Sequence, residues 1–255
     1  MTTSDCPQGW TALLNDRSTG AHALGLRALR LGLESALPLS QLRHCFENLA
    51  RAHPAMVLLE NLVREISPLK RAAQLRKLTR ELNNLSTVIS RNFEAQLRRR
   101  FPHRFDLTVV TFSHSSTVLM ALRQVRNRIA RLRVARSLPL GEGEVTVKAA
   151  IRYRLPAELF EDGRLAFAVR QCDLVVVGAD CVLPNGSVIN KVGTSKLARI
   201  CAWHDKPFWI VTSRYKFASH RHIQLFQKVG PRRIQLFDIT PRKWIDQVIT
   251  EKGHL

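Results

Sequence analysis

The side chains best suited to chemistry lie between Asp173 and Phe217. A carboxylate, a carboxamide and two lysines occur there outside the apolar runs: Asp180, Asn190, Lys191 and Lys216. A carboxyl group can transfer a proton, and lysine ammonium groups bind phosphate oxygens. The combination predicts a site for an anionic, hydroxylated ligand, provided that the fold brings these groups together.

The segment Gly193-Thr194-Ser195 follows with the small residues typical of a helix start. Because the backbone N–H groups at a helix N-terminus bind anions, we expect this segment to supply further donors to a phosphate. For Asp180, a restricted pocket would raise the carboxyl pKa towards neutrality, which suits a proton shuttle.

The elements that position these residues follow from hydrophobic periodicity after residue 105. Short apolar strands alternate there with helices, which predicts an α/β domain with a parallel sheet covered on both faces. The predicted strands are Leu107–Phe112, Leu132–Val134, Ala157–Phe160, Leu174–Val177, Phe208–Val211 and Ile234–Phe237, and the predicted helices include Ser116–Arg128 and Glu142–Arg154. Ligands of such sheets bind beyond the carboxyl ends of the strands. Polar residues follow those ends at Ser113 to Ser116, Ser137, Asp162, Asp180 and Lys216.

Before residue 105, apolar residues recur at helical spacing, which predicts a helical bundle. One stripe contains Ala21, Leu24, Ala28 and Leu31, a second Leu42, Cys45, Phe46 and Leu49, and a third Leu75, Leu78, Leu82, Leu85, Ile89, Phe93 and Leu97. Ser40 is the expected N-cap of the second helix, and Pro54 suits the first turn of the next. We predict an N-terminal helical domain at 1–104 and a C-terminal domain with the ligand pocket at 105–255.

The formal net charge of +20 arises from 40 Lys and Arg against 20 Asp and Glu. Between Asp106 and Glu142 no acidic residue occurs, while arginines accumulate. A face that binds RNA or an acidic protein and a set of solvated helix faces both fit this pattern. Nucleic-acid binding is not favoured as the primary role, because no known nucleic-acid module is present and aromatic residues near these arginines are sparse.

Five cysteines, Cys6, Cys45, Cys172, Cys181 and Cys201, are scattered without CxxC spacing or Cys/His clustering. This pattern predicts reduced thiols, a cytoplasmic protein and no zinc site. No apolar run approaches the 18 residues or so of a membrane span, and the first ten residues lack the features of a secretory signal. We expect no cofactor.

The motifs GxGxxG, GxxxxGK[ST], HExxH and GxSxG are absent. Neither a nucleotide-binding loop nor a nucleophile elbow is therefore predicted. The run Ser113-His114-Ser115-Ser116 fits a Ser-His nucleophile pair or a polar turn that caps the following helix. We favour the cap, because adjacent residues rarely face each other in such a turn.

Several blocks of this chain resemble the initiation factor 2B alpha/beta/delta family, which includes methylthioribose-1-phosphate isomerase and ribose-1,5-bisphosphate isomerase. The blocks are VGAD with INKVGTSKLA, KPFWIVTSRYKF, FDITPRKWIDQVITEKG, TFSHSSTVL and SLPLGEG. The resemblance covers nearly the whole chain. It implies an N-terminal helical bundle followed by a Rossmann-like parallel sheet domain, in a dimer or larger oligomer.

The resemblance also implies roles for individual residues. Asp180 stands where the isomerases have a proton-donating aspartate, and Ser115 stands where they have a catalytic cysteine. Asn190, Lys191 and Lys216 would hold sugar hydroxyls and phosphate oxygens. Further ligand contacts are implied for Gly20, Ala21, His53, Ser116 and Glu142.

The chain departs from the isomerase pattern at four ligand-contacting positions. Ser115 replaces the cysteine, and a hydroxyl is a far weaker acid than a thiol. Thr19, His53 and Leu138 stand where arginines are expected. Each arginine would contribute charge-assisted hydrogen bonds of about 1.5–3 kcal/mol to a phosphate.

Two functions remain. The first, favoured by these losses, is a non-catalytic regulatory or assembly subunit that binds a sugar phosphate or related metabolite, as a homodimer or with related subunits. A link to translation initiation is implied by the resemblance alone. The alternative is an aldose-ketose isomerase acting on a phosphorylated pentose, of the ribose-1,5-bisphosphate or methylthioribose-1-phosphate type.

Overall fold

A computed structural model describes residues 6–7, 9–16, 20–35, 37–54, 56–69, 72–218 and 236–254. These residues form two compact units. The first unit contains the described residues up to Leu85 together with 215–218, and the second contains Ser86–Arg214 and 236–254. Among the described residues, no helix has the length and apolar character needed to cross a membrane.

The first unit is helical, as its periodicity predicts. Its helices are α1 (Trp10–Asn15), α2 (Ala21–Glu34), α3 (Leu39–Ala52), α4 (Val57–Ile66) and the beginning of α5 (Ala72–Arg100), which continues into the second unit. The predicted stripe on α3 is wholly buried, and so is the predicted stripe along α5. An edge-to-face pair with ring centroids 5.3 Å apart joins Trp10 to Phe46 in the core of this unit.

Two details of the predicted helix starts are wrong. Ser40 lies inside α3, whose N-cap is Pro38, and α4 begins at Val57, beyond Pro54. Both predictions relied on local capping preferences, and such preferences are weaker than the burial of an apolar helix face.

The prediction of five reduced thiols is wrong for Cys6 and Cys45, which form a disulfide with their Cα atoms 5.7 Å apart. The pairing joins the N-terminal segment to α3, and spacing along the chain contains no sign of this tertiary contact. Cys172, Cys181 and Cys201 are free and buried. Burial raises the pKa of the Cys172 thiol to about 12.

The second unit contains a mostly parallel sheet. Its strands are β1 (Leu107–Thr111), β2 (Ile129–Ala135), β3 (Ala157–Phe160), β4 (Leu174–Val177), β7 (Phe208–Val211), β9 (Gln247–Thr250) and β10 (Gly253–His254). Their spatial order is β10-β9-β7-β4-β1-β2-β3, and only β10 pairs antiparallel among these described strands. Helices α6 (Ser116–Gln124), α7 (Gly143–Arg152), α8 (Leu165–Arg170) and α9 (Thr194–Trp203) accompany it. The predicted bundle followed by a Rossmann-like sheet is confirmed.

A second, smaller sheet is antiparallel and was not predicted. It consists of β5 (Cys181–Val182), β6 (Val188–Lys191) and β8 (Phe237–Thr240), in the order β5-β6-β8. Residues 234 and 235 of the strand predicted at Ile234–Phe237 lie outside the described part, and from Phe237 the chain forms β8, which pairs antiparallel with β6 instead of joining the parallel sheet. The observed strand starts at Phe237, because its pairing with β6 determines the register.

Other boundaries shift by a few residues. The helix predicted at Ser116–Arg128 ends at Gln124 and is followed by a 3-10 turn at Arg126–Arg128, after which β2 begins at Ile129. The helix predicted at Glu142–Arg154 spans Gly143–Arg152.

Candidate functional site

The candidate site lies in the second unit, where β4, β1 and β2 end side by side. Since neighbouring strands are parallel, the residues that follow them lie at one edge of the sheet. One hydrogen bond shows this directly: the Ser113 N–H, after β1, donates to Ser137 Oγ, after β2, at 2.7 Å. The predicted convergence of polar residues at this edge is therefore present for these two loops.

Glu142 connects three elements at this edge. Its Oε2 accepts a hydrogen bond from Ser113 Oγ at 2.6 Å, and its Oε1 lies 3.5 Å from Lys191 Nζ. Gly143 allows this placement, because a Cβ atom there would lie 2.0 Å from the carbonyl oxygen of Ala135. The start of α7 therefore approaches the end of β2 closely enough for the Glu142 carboxylate to reach both partners.

Lys191 is the most unusual group of the site. Its side chain is only 4% exposed, and its ammonium has no hydrogen-bond acceptor among the described residues. Glu142 Oε1 provides the one ion pair found for it there, at a distance longer than a good hydrogen bond. Burial of an ammonium with so few partners is unfavourable, so the position is suited to an additional anion.

Ser115 caps α6, as the favoured interpretation of the serine run predicts. Its Oγ accepts a hydrogen bond from the Val118 N–H at 3.4 Å. It also packs against Gly178 at the end of β4, since a Cβ atom at Gly178 would lie 2.8 Å from Ser115 Oγ. Ser116, the first residue of α6, is exposed.

His114 contacts Thr146 on α7, with its Nδ1 3.0 Å from Thr146 Oγ1. The hydroxyl of Thr146 donates in turn to the carbonyl oxygen of Ser113. Partial desolvation lowers the pKa of His114, and the charge of Glu142 opposes this shift. These contacts hold the β1–α6 turn in place.

Asp180 and Asn190 occupy the segment between β4 and α9. Asp180 is half-buried, and its N–H donates to the carbonyl oxygen of Ile189 at 2.9 Å. The Asn190 side chain is buried and donates to Thr194 Oγ1 at 3.1 Å, while Thr194 Oγ1 donates to the carbonyl oxygen of Lys191. The Asn190 amide therefore helps to fix the turn that leads into α9.

The predicted phosphate contact at the start of α9 is wrong. The N–H groups of Gly193 and Ser195 both donate to the carboxylate of Asp238 on β8, Gly193 at 2.7 Å and Ser195 at 3.1 Å. The carboxylate already occupies the anion position of this helix N-terminus. Burial raises the pKa of Asp238, and the two N–H donors oppose this shift.

Asp162 lies after β3, as predicted, and orders the loop that follows β2. Its two carboxylate oxygens accept hydrogen bonds from the N–H groups of Ser137 and Leu138, each at 2.8 Å. The Leu138 side chain is 51% exposed. This loop therefore presents an apolar side chain to solvent at the position where the resemblance expects an arginine.

The remaining predicted residues belong to the first unit. Gly20 is the N-cap of α2 and Ala21 is its first residue, while Thr19 lies outside the described residues. Lys216 lies close enough to His22 for its charge to act with burial, the larger cause, in lowering the pKa of that histidine. The structure therefore brings Lys216 to the start of α2.

His53 is buried, and its Nε2 donates to the carbonyl oxygen of Leu13 at 2.9 Å. It also lines a cavity of about 570 Å³ with Arg51, Glu60 and Arg64. One ring nitrogen thus stabilises the helical unit, and the predicted ligand contact of His53 stays a prediction.

Comparison with known proteins identifies the family. The profile of the initiation factor 2 subunit family matches residues 24–233. The chain belongs to the initiation factor 2 subunit family. The match begins in α2 of the first unit and includes Ser113, Glu142, Asp180 and Lys191 of the second.

Individual relatives within this family carry two kinds of name. A ribose 1,5-bisphosphate isomerase from Archaeoglobus fulgidus is 28% identical over 84% of this chain and 75% of its own length. A putative translation initiation factor eIF-2B subunit 2-like protein from Pyrococcus abyssi is 31% identical over 89% of this chain and 85% of its own length. The crystal structure of the translation initiation factor eIF-2B of Pyrococcus horikoshii has a TM-score of 0.79 and 25% identity, and covers 98% of both chains. Family membership is therefore shared by enzymes and by translation factors.

Two positioning residues of this family member escaped the sequence prediction. Asp238 lies in the block FDITPRKW. The sequence alone contained no sign that its carboxylate binds the start of α9. Asn61 on α4 donates to the carbonyl oxygens of Tyr215 and Phe217, at 2.8 and 2.9 Å, and so holds both sides of Lys216. No pattern along the chain indicated this second contact.

Proposed function

We propose that this protein is a non-catalytic member of the initiation factor 2 subunit family that binds a sugar phosphate or related metabolite and acts as a regulatory or assembly subunit. The observation that carries the proposal is the buried Lys191 ammonium, which has no hydrogen-bond acceptor among the described residues. A phosphate oxygen would complete its coordination.

The groups around Lys191 suit the rest of a phosphorylated sugar. The Glu142 carboxylate, held by Ser113, can accept a hydrogen bond from a sugar hydroxyl. Asp180 and Asn190 lie in the same stretch of chain, and a carboxylate and a carboxamide are common partners of hydroxyl groups. Lys216 and the start of α2 provide a second cationic position in the first unit.

The chemistry of Ser115 supports the proposal that this protein does not catalyse the isomerisation. Its Oγ caps α6, and a serine hydroxyl needs a neighbouring base before it can take part in proton transfer at neutral pH. The buried thiol of Cys181 belongs to strand β5 and is fully shielded from solvent. It therefore offers no replacement for the cysteine of the isomerases.

The alternative is an aldose-ketose isomerase of phosphorylated pentoses. Its support is the 28% identity to a ribose 1,5-bisphosphate isomerase together with the position of Ser115 against Gly178, two residues before Asp180. In this alternative, Asp180 would transfer the proton and Ser115 or a bound water would replace the thiol.

We further propose that the protein assembles as a homodimer or larger oligomer, or with related subunits, in the cytoplasm. Light scattering coupled to size-exclusion chromatography of the purified chain, alone and with related subunits, tests this part. A monomer under both conditions would contradict it.

The binding experiment uses ribose 1,5-bisphosphate, ribose 5-phosphate and methylthioribose 1-phosphate as probes. We expect at least one of them to raise the melting temperature of the wild type, and Lys191→Ala to lose this shift. Lys148→Ala, which removes an exposed lysine on α7, is the matched control and should keep it. No shift with any probe, or equal loss in both variants, would contradict binding at Lys191.

Proton NMR of the same mixtures distinguishes the two functions. We expect no ketose to form. Ketose formation that disappears in Asp180→Asn would replace the first proposal by the isomerase.

A further inference from the structure

The outer face of α9 combines cations with an exposed indole. Lys196, Arg199 and Trp203 are all exposed and follow one another at helical spacing. Trp203 is 85% exposed, the highest value among the large apolar side chains that the structure describes. Together, the exposed indole and the two cations form one continuous surface that is free for a partner.

A second indole, Trp244, lies next to this face in the 3-10 turn Arg242–Trp244. The guanidinium of Arg199 lies 5.6 Å from its ring centroid, and the ammonium of Lys243 lies 5.4 Å from it. Cation–π contacts of this kind hold the charged groups beside the ring. The surface therefore alternates flat aromatic and cationic groups.

A cavity of about 420 Å³ continues this surface. Its lining includes Arg100, Lys206 and Lys243 together with Trp209 and Trp244. Of its two acidic residues, Asp246 is engaged by the N–H of Phe208 at 2.6 Å, and Asp205 lies in the turn after α9. Cations thus outnumber acids along the lining.

This surface lies away from the candidate ligand site. Pro207 precedes β7 and Gln247 begins β9, so the cavity is at the amino ends of these strands. The site built around Glu142 and Lys191 is at the carboxyl ends of the sheet. Binding of nucleic acid at the amino ends of the strands can therefore be tested independently of ligand binding at the carboxyl ends.

We propose that the surface formed by Lys196, Arg199, Trp203, Lys243 and Trp244 binds single-stranded nucleic acid. Bases stack on an exposed indole such as Trp203 with little sequence preference, and the neighbouring cations contact the phosphates. The net charge of +20 strengthens the attraction of the chain for a polyanion.

Charge complementarity decides against a second copy of this chain as the occupant. A symmetric contact places the same patch on both partners. Here it would bring the cationic patch of one copy against the same cationic patch of the other, and like charges at an interface oppose association.

The test measures fluorescence anisotropy of a labelled short oligouridine with the full chain at low and high salt. We expect the wild type to bind and its affinity to fall with added salt. Trp203→Ala should weaken binding about tenfold, while Trp203→Phe, which retains an aromatic ring, should stay within about threefold of wild type. Lys243→Gln should reduce the slope of log affinity against log salt by about one.

A matched control removes an aromatic ring and a cation from another cluster of the same unit. Arg164 and Arg170 lie over the partly exposed Phe167, at 5.2 and 5.8 Å from its centroid. The double variant Phe167→Ala/Arg170→Gln should bind as the wild type does, whereas Trp203→Ala/Arg199→Gln should bind at least tenfold more weakly, by the loss of one stacking and one phosphate contact.

Three results would overturn the proposal: no binding by the wild type, equal weakening in both double variants, or a Trp203→Ala protein that keeps its affinity for oligouridine but loses self-association in sedimentation velocity. The last result would assign this surface to a second copy. Circular dichroism melts of each variant establish that the fold is retained.

Discussion

The Glu142 carboxylate lies 3.5 Å from the Lys191 ammonium, and the lysine is almost wholly buried while the glutamate is partly exposed. The glutamate is also held by Ser113 from the neighbouring loop. The pair therefore joins the end of β1, the start of α7 and strand β6. Its removal should affect both the stability of the second unit and its affinity for anions.

We expect Glu142→Gln to lower the free energy of unfolding by about 1–3 kcal/mol, because the buried ammonium loses its counter-charge. Urea denaturation measures this difference. Glu144→Gln lies two residues further on, at an exposed position in the first turn of α7. It removes a surface ion pair with Arg136 and should cost at most about 1 kcal/mol. Equal effects of the two changes would show that the Lys191 contact adds nothing.

Lys191→Met should leave the stability within about 1 kcal/mol of wild type or increase it, since an apolar side chain of similar length needs no counter-charge in a buried position. The same denaturation experiment measures it. A large loss of stability would mean that the ammonium is a structural requirement of β6 rather than a group poised for a ligand.

Asp238 should make the stability of the protein depend on pH in the acidic range. Because burial raises its pKa in the folded state, its contribution is greatest below the unfolded value of 3.8 and is lost as the pH rises through the higher folded value. The difference in unfolding free energy between wild type and Asp238→Asn should therefore change in favour of the variant with rising pH in this window. A constant difference would contradict the shift.

His22 reports on the position of Lys216. Its pKa lies below the ordinary 6.5 because of burial first and the lysine charge second. Lys216→Met should raise the pKa of His22 while leaving it below 6.5, as measured by NMR titration of the imidazole. Lys206→Met in the second unit is the control and should leave it unchanged. An unchanged value in Lys216→Met would place the lysine elsewhere.

Reduction of the Cys6–Cys45 disulfide should destabilise the first unit. Its sequence separation of 39 residues corresponds to about 4 kcal/mol of unfolded-state restriction. Chemical denaturation with and without a thiol reductant measures the loss, and Cys6→Ser/Cys45→Ser should show the reduced stability and no response to reductant. A wild type insensitive to reductant would contradict the disulfide.

The regular spacing of apolar residues explains which helices and strands could be predicted from the sequence. Residues such as Leu82 and Val176 repeat at helix or strand spacing, so the bundle, the parallel strands and the polar edge of the sheet follow from local pattern. The Ser115 cap was likewise visible, because a cap depends on residues within one turn.

The missed features all depend on contacts between distant parts of the chain. Strand β6 contains Asn190 and the buried Lys191, so its sequence resembles a ligand-binding turn more than a strand. The engagement of the α9 start by Asp238 depends on the pairing of β6 with β8. This pairing leaves no periodic pattern in the sequence, because the register of an antiparallel pair depends on a strand distant along the chain and not on adjacent residues.

The hydrogen bonds from Asn61 to the carbonyl oxygens of Tyr215 and Phe217 have a consequence for synthesis on the ribosome. Chains fold from the N-terminus as they emerge, and contacts between distant residues form late. The acceptors of Asn61 are translated only after most of the second unit, so this contact of the first unit forms only then. A nascent chain arrested before residue 215 should therefore lack these two hydrogen bonds of the first unit, whatever the state of its helices.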